Sequence, residues 1–171
     1  MKHIYLIGYR CTGKTSVGKS LAGKLAMDFV DADDFLVKDA GMTVAEIVEQ
    51  FGWDDFRNRE TRILQTISHM DKNVVATGGG VILRDSNVEI LRATGTVIWL
   101  KASVETIARR MVKDVHTEDL RPGLTDKGPF QEIEDTLKMR IPLYKKAMDF
   151  SVETDNLAVS DICDRIIEKL S

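Results

Sequence analysis

GYRCTGKT, residues Gly8 to Thr15, fits the phosphate-loop pattern G-x-x-x-x-G-K-[ST] at every fixed position. Its surroundings fit as well. The apolar run Ile4-Tyr5-Leu6-Ile7 enters as a buried strand, and Val17, Leu21 and Leu25 leave at four-residue spacing on one helix face. Glycines let backbone N–H groups turn around phosphate oxygens, and the helix N-terminus beyond adds a favourable dipole. Lys14 is placed to reach the β- and γ-phosphates, and the Thr15 hydroxyl to ligate Mg²⁺. The alternative is a chance Gly-Lys-Thr turn between a strand and a helix. Agreement of motif with context favours a nucleoside triphosphate site.

Working outward, 171 residues are most simply one domain, spanning 1–171, with ordinary hydrophobic and charged content. A formal charge of −3 argues against a nucleic-acid surface built on overall basicity. The apolar run after Met1-Lys2-His3 lasts four residues, too short for a signal peptide, and no stretch approaches a membrane span. Cys11 and Cys163 offer neither a disulfide framework nor zinc spacing, and both read as reduced thiols. The expectation is a cytoplasmic monomer with no nucleic-acid or membrane partner.

Apolar runs alternate with helical patterns along the chain, which predicts an α/β fold with a parallel sheet covered by helices. Strands are expected at Phe29–Asp31, Asn73–Thr77, Thr96–Leu100 and Phe150–Thr154. Thr43 to Glu46 reads as a capping box opening a short helix that ends near Gly52. From Trp53 to His69, the positions Phe56, Glu60, Ile63, Leu64 and Ile67 form one stripe carrying a charge on its buried side. Ser86 to Glu89 reads as a second capping box, and Ser103 as the cap of a helix bearing Val104, Ile107 and Met111. Val112 to Lys127 has no sustained period and is expected to be a mobile lid. Pro129 opens another helix, which Pro142 is expected to kink or end. Ile162, Ile166 and Leu170 face a last helix inward.

Chemistry-bearing residues cluster beyond the loop. Asp31 and Asp33 follow the second strand, and alternation along an extended segment sends both carboxylates toward the carboxyl edge of the sheet. Ligands bind at that edge in open α/β sheets. One carboxylate near Mg²⁺ and one near a substrate hydroxyl is the functional reading; a solvated acidic turn is the bland one. Arg57 and Glu60 stand three apart on a helix and can pair, which alone means no more than a surface ion pair. Gly78-Gly79-Gly80 after a buried strand marks either a close backbone approach or a plain tight turn. Arg140, just ahead of Pro142, is an unplaced cation, or simply a solvated one.

Taken together, these stretches resemble the shikimate kinases from end to end. The matching segments run in order: GYRCTGKT, DAD at 31–33, FRNRE at 56–60, ATGGG at 76–80, RPGL at 121–124 and RIPLY at 140–144. The resemblance implies a three-layer phosphate-loop kinase fold of the nucleoside-monophosphate-kinase type, with a five-stranded parallel sheet flanked by helices. It implies transfer of the γ-phosphate of ATP to the 3-hydroxyl of shikimate, in aromatic amino-acid biosynthesis. The substrate-binding helical region would span about residues 33–62 and the lid about 112–127.

Roles carry over where motifs match. Cys11, Thr12, Gly13, Lys14, Thr15 and Ser16 would bind ATP, joined by Arg110, which can stack on adenine, and by Arg121. Arg109 is the rival to Arg110. Thr15 would ligate Mg²⁺ and Asp31 would hold it through water. Asp33 would bind the ring hydroxyls and orient or deprotonate the attacking one. Arg57 and Arg140 would grip the shikimate carboxylate, with Glu60 holding Arg57 and Gly79 offering its N–H. Lys14 would steady the γ-phosphate, and Arg121 would neutralise charge on the transferring group. Trp53 departs from the pattern, standing where the family has Glu. Two other readings stay open: a different small-molecule kinase of this fold, such as a gluconate kinase, and a nucleotide-binding regulator without turnover.

Overall fold

The computed structural model describes residues 2–113 and 129–171. At its centre lies β1 (His3–Ile7), buried along its whole length. Four further strands join it: β2 (Asp28–Asp31), β3 (Asn73–Ala76), β4 (Gly95–Lys101) and β5 (Phe150–Glu153). All pair in parallel, in the order β2-β3-β1-β4-β5. A continuous apolar run is what a central parallel strand needs, because helices cover both of its faces. Tyr5 and Ile7 point to one face and pack with Ile47, Phe56, Leu64, Val97, Trp99 and Tyr144. Ile4 and Leu6 point to the other and pack with Val17, Leu21, Ile162, Cys163 and Ile166.

Seven α-helices stand among the described residues. They are α1 (Lys14–Leu25), α2 (Ala32–Ala40), α3 (Val44–Ser68), α4 (Asp85–Thr94), α5 (Val104–Lys113), α6 (Pro129–Ala147) and α7 (Val159–Leu170). Helices α1 and α7 cover one face of the sheet, and α3, α4 and α6 the other. No helix among the described residues is long and apolar enough to cross a membrane.

Local signals behave as read at several points. Thr43 and Glu46 form the reciprocal capping box, with Glu46 N–H donating to Thr43 Oγ1 at 3.2 Å and Thr43 N–H to Glu46 Oε2 at 2.7 Å. Ser103 accepts from Thr106 N–H at 3.2 Å, capping α5. The stripe Phe56, Glu60, Ile63, Leu64 and Ile67 is buried as predicted.

The helix opened at Thr43 breaks at Gly52, as the sequence predicts: Gly52 adopts φ 81°, ψ 171°, a conformation reserved for glycine, and a second helical run follows it within α3. Other expectations need correction. Ser86 to Glu89 is not a capping box: α4 already begins at Asp85, with no side-chain cap at its start. Pro142 does not end α6, which continues to Ala147. Pro142 has no N–H to donate to the carbonyl of Lys138, four residues earlier, so the helix runs on with one bond fewer. Val112 and Lys113 belong to α5 rather than to the aperiodic stretch. The rest of the expected lid, with Arg121 and the RPGL segment, lies outside the described residues apart from that boundary.

Candidate active site

The phosphate loop joins β1 to α1 at the carboxyl edge of the sheet. Lys14 is buried against its own loop, its Nζ donating to the carbonyls of Gly8 at 2.9 Å and Tyr9 at 2.8 Å. Thr12 Oγ1 also donates to Tyr9 O, at 2.8 Å. Cys11 is half-buried in a left-handed turn at φ 59°, while Thr15 and Ser16 are exposed at the start of α1. Gly13 forms the N-cap of that helix, so the loop's N–H groups and the helix dipole meet at one place.

Asp31 and Asp33 reach this edge by a different route from the one predicted. Asp31 is the last residue of β2 and the N-cap of α2, and Asp33 sits in the first turn of that helix. Helix geometry, not strand alternation, therefore sets their separation. Asp31 Oδ1 accepts from Asp33 N–H at 3.1 Å and Asp34 N–H at 3.4 Å, and its Oδ2 accepts from Thr15 Oγ1 at 2.8 Å. The two expected metal residues thus touch, and their donor set is entirely oxygen, which suits a hard divalent cation.

Beside the loop opens a cleft. Asp33, Arg57, Glu60, Gly79 and Arg140 all line it, so the structure gathers every expected acceptor-side residue. Arg57 Nη1 donates to Glu60 Oε2 at 2.8 Å, with both side chains largely buried, so this is not a loose surface pair. Burial pushes the Glu60 carboxyl above its ordinary value, and Arg57 only partly offsets this. Glu60 Oε1 is buried without a hydrogen-bond partner among the described residues. The Gly78–Gly80 run is the close approach rather than a plain turn. A Cβ on Gly78 would sit 2.7 Å from Glu60 Oε1 and 2.9 Å from Asp33 Oδ1, and one on Gly80 would strike the Arg57 guanidinium. Arg140 Nη1 at 3.2 Å and Tyr144 OH at 2.6 Å both donate to Gly79 O. Burial pushes the Tyr144 hydroxyl up to about 12, so it remains a donor.

Arg110, on α5, spans the loop and the segment after β5. Its Nη1 donates to Cys11 O at 3.2 Å and Thr154 Oγ1 at 3.2 Å, and its Nη2 to Thr154 O at 2.9 Å. Arg109 instead turns back to Thr106 Oγ1 at 3.4 Å, which separates the two rivals.

Sequence reasoning missed Tyr9, Arg10 and Tyr144. Arg10 lines the cleft, pairs with Glu132 of α6 at 2.5 Å, and buries its Nε without a hydrogen-bond partner among the described residues. Tyr9 and Arg10 occupy variable positions of the phosphate-loop pattern, which specifies only the backbone there. Tyr144 lies within RIPLY, but nothing in its spacing signals a bond to a glycine carbonyl.

Comparison with known proteins agrees with this geometry. The model of the shikimate kinase family matches residues 10–171. The shikimate kinase of Thermodesulfovibrio yellowstonii is 41% identical over 169 residues, covering 99% of this chain and 95% of that protein. The structure of shikimate kinase from Acinetobacter baumannii in complex with shikimate superposes with a TM-score of 0.93 at 35% identity, over 99% of this chain and 93% of that one. A gluconokinase from Sinorhizobium meliloti, at 17% identity and a TM-score of 0.61 over 99% of this chain and 95% of that one, shares the fold alone.

Proposed function

The chain belongs to the shikimate kinase family, and on that premise we propose that it passes the γ-phosphoryl group of ATP to the 3-hydroxyl of shikimate, giving shikimate 3-phosphate and ADP. The family's enzymes are ATP-dependent kinases acting on a hydroxyl group, and they generally need a divalent metal. One observation carries the assignment: Asp33, Arg57 and Arg140 line a single cleft that opens beside the phosphate loop.

Two guanidinium groups, from α3 and α6, suit a carboxylate, which they can hold by charge-assisted and planar hydrogen bonds. With the carboxylate so gripped, Asp33 accepts a hydrogen bond from the attacking hydroxyl. It takes the proton as that oxygen closes on phosphorus and the bond from phosphorus to the bridging oxygen of ADP breaks. Lys14 and Arg121 offset negative charge on the transferring group and the leaving oxygen. Cys11, Thr12, Gly13 and Ser16 surround the phosphates, and Arg110 lies against the adenine. Thr15 would hold Mg²⁺ directly and Asp31 through water; bound there, the cation neutralises phosphate charge. The transition state is loose, so positioning and charge neutralisation carry the catalysis. The same reading makes the enzyme a cytoplasmic monomer.

Release of ADP tests the assignment, measured with shikimate and with a panel of hydroxy acids that includes gluconate. Release that depends on shikimate is expected. Turnover with gluconate alone would move the acceptor. ATP binding with no release on any acceptor would make the chain a nucleotide-binding regulator.

A further inference from the structure

At the mouth of the cleft, Trp53 packs on Arg57. The guanidinium carbon of Arg57 lies 5.6 Å from the Trp53 ring centroid and 5.0 Å from that of Phe56. The two rings meet edge to face, with centroids 5.7 Å apart. Phe56 is buried, whereas Trp53 is 37% exposed, so the indole does little to fill the core. Its place is nonetheless built. The helical break at Gly52, in a backbone conformation that only glycine adopts comfortably, falls one residue before Trp53 and sets where the indole emerges.

A guanidinium is weakly hydrated on its flat faces and carries its donors along its edges. Aromatic rings against the group restrict its rotation and strip water from it, while its edges remain available for hydrogen bonds. Here one edge goes to Glu60, and Nη2 lies over Gly80, inside the cleft. We propose that Trp53 is a positioning residue. It acts through Arg57 to fix the guanidinium plane, and so sets the preference of the cleft for an anionic acceptor over a neutral one of the same shape. This inference rests on the reading of Arg57 as a carboxylate clamp.

The test uses shikimate and the alcohol made by reducing its carboxylate, with ATP saturating, in Trp53→Leu, Trp53→Phe, Arg57→Lys and the Trp53→Leu/Arg57→Lys double variant. Trp53→Leu keeps an apolar side chain but removes the ring. It should raise KM for shikimate about five- to tenfold, judged from cation–π magnitudes, with kcat changed less than about twofold and KM for the alcohol unmoved. Trp53→Phe should give back most of the loss. In the Arg57→Lys background Trp53→Leu should add little. The inference is overturned if Trp53→Leu weakens acid and alcohol alike, leaves both unchanged, or keeps its full effect beside Arg57→Lys. If Arg57→Lys itself leaves the acid-over-alcohol preference intact, the clamp reading falls and this inference with it. A preference lost in Arg57→Lys but intact in Trp53→Leu overturns the role of Trp53 alone.

Discussion

Thr15 donates its hydroxyl to Asp31 Oδ2 at 2.8 Å, joining the first turn of α1 to the N-cap of α2 across the carboxyl edge of the sheet. Asp31 therefore has two duties, capping a helix and presenting an oxygen beside the phosphate loop, and one substitution separates them. Asparagine caps helices about as well as aspartate but lacks the charge. Asp31→Asn should shift the melting temperature by less than about 3 °C. It should raise the Mg²⁺ needed for half-maximal activity about tenfold, the scale found for residues that hold a metal indirectly. Activity of the unaltered enzyme should vanish with a chelator and return with Mg²⁺ or Mn²⁺. A magnesium titration checks both points, and an Asp31→Asn curve lying on that of the unaltered enzyme would refute the metal assignment.

Arg57 is expected to matter for one substrate and not for the other. Its guanidinium is largely buried and bonded to Glu60, in a cleft that Thr15 does not line. Arg57→Ala should weaken shikimate binding by about 2–4 kcal/mol, the range for truncating one partner of a buried charged pair. ATP affinity should change little. Calorimetric titration with each ligand distinguishes this from general collapse of α3, which would weaken both.

Glu60 should leave a mark on the pH dependence of stability. Burial holds its folded-state pKa above the ordinary 4.5, against the opposing pull of Arg57. The folded chain then keeps a proton that the unfolded chain has already released. Stability contributed by this group accordingly falls as pH rises from the ordinary value through the raised one, and levels off beyond it. Glu60→Gln removes the titration and retains an acceptor for Arg57. Denaturant melts of both proteins, from about pH 4 upward, should show the stability of the native protein relative to Glu60→Gln declining with pH. A difference that rises instead would mean that Arg57, not burial, dominates the site.

Much of this architecture was legible because buried parallel strands are unbroken apolar runs, and because the phosphate loop fixes what must precede and follow it. The strand β1, the helix α1 and the buried stripe from Phe56 to Ile67 came straight from that logic. Gly52 reads as a stop and is the break between two helical runs, with Ile47 before it and Phe56 after it packed into the same core. Punctuation misled at Pro142, which α6 runs through, and at Ser86, where α4 has already begun. Asp31 and Asp33 were brought to the right edge by the wrong geometry, since a strand ending in an N-cap looks, in sequence, like a longer strand. Arg10 carried no signal at all, and Trp53 stood out only as a departure from the family pattern. Arg10 is met by Glu132 from across the fold, and Trp53 by Arg57 one turn further along α3.

The last expectation concerns Arg121, which lies outside the described residues but whose flanks do not. Helix α5, before it, reaches the phosphate loop through Arg110, which donates to Cys11 O at 3.2 Å. Helix α6, after it, reaches the same loop through Glu132, which pairs with Arg10 at 2.5 Å. The helices on either side of the segment that carries Arg121 therefore both contact the phosphate loop. An arginine supplied there should stabilise charge that develops in the transition state more than charge present in either bound substrate. Arg121→Ala should lower kcat by about 10³-fold, on the scale of arginine fingers, with much smaller changes in the dissociation constants of ATP and shikimate. Arg121→Lys should recover little, because a compact ammonium cannot span two oxygens as a planar fork does. Single-turnover rates at saturating substrates, set beside binding constants for each ligand, measure the split. Near-normal kcat in Arg121→Ala would return the search to Arg10, Arg109, Arg110 and Arg140, of which Arg10 already lines the acceptor cleft beside the phosphate loop.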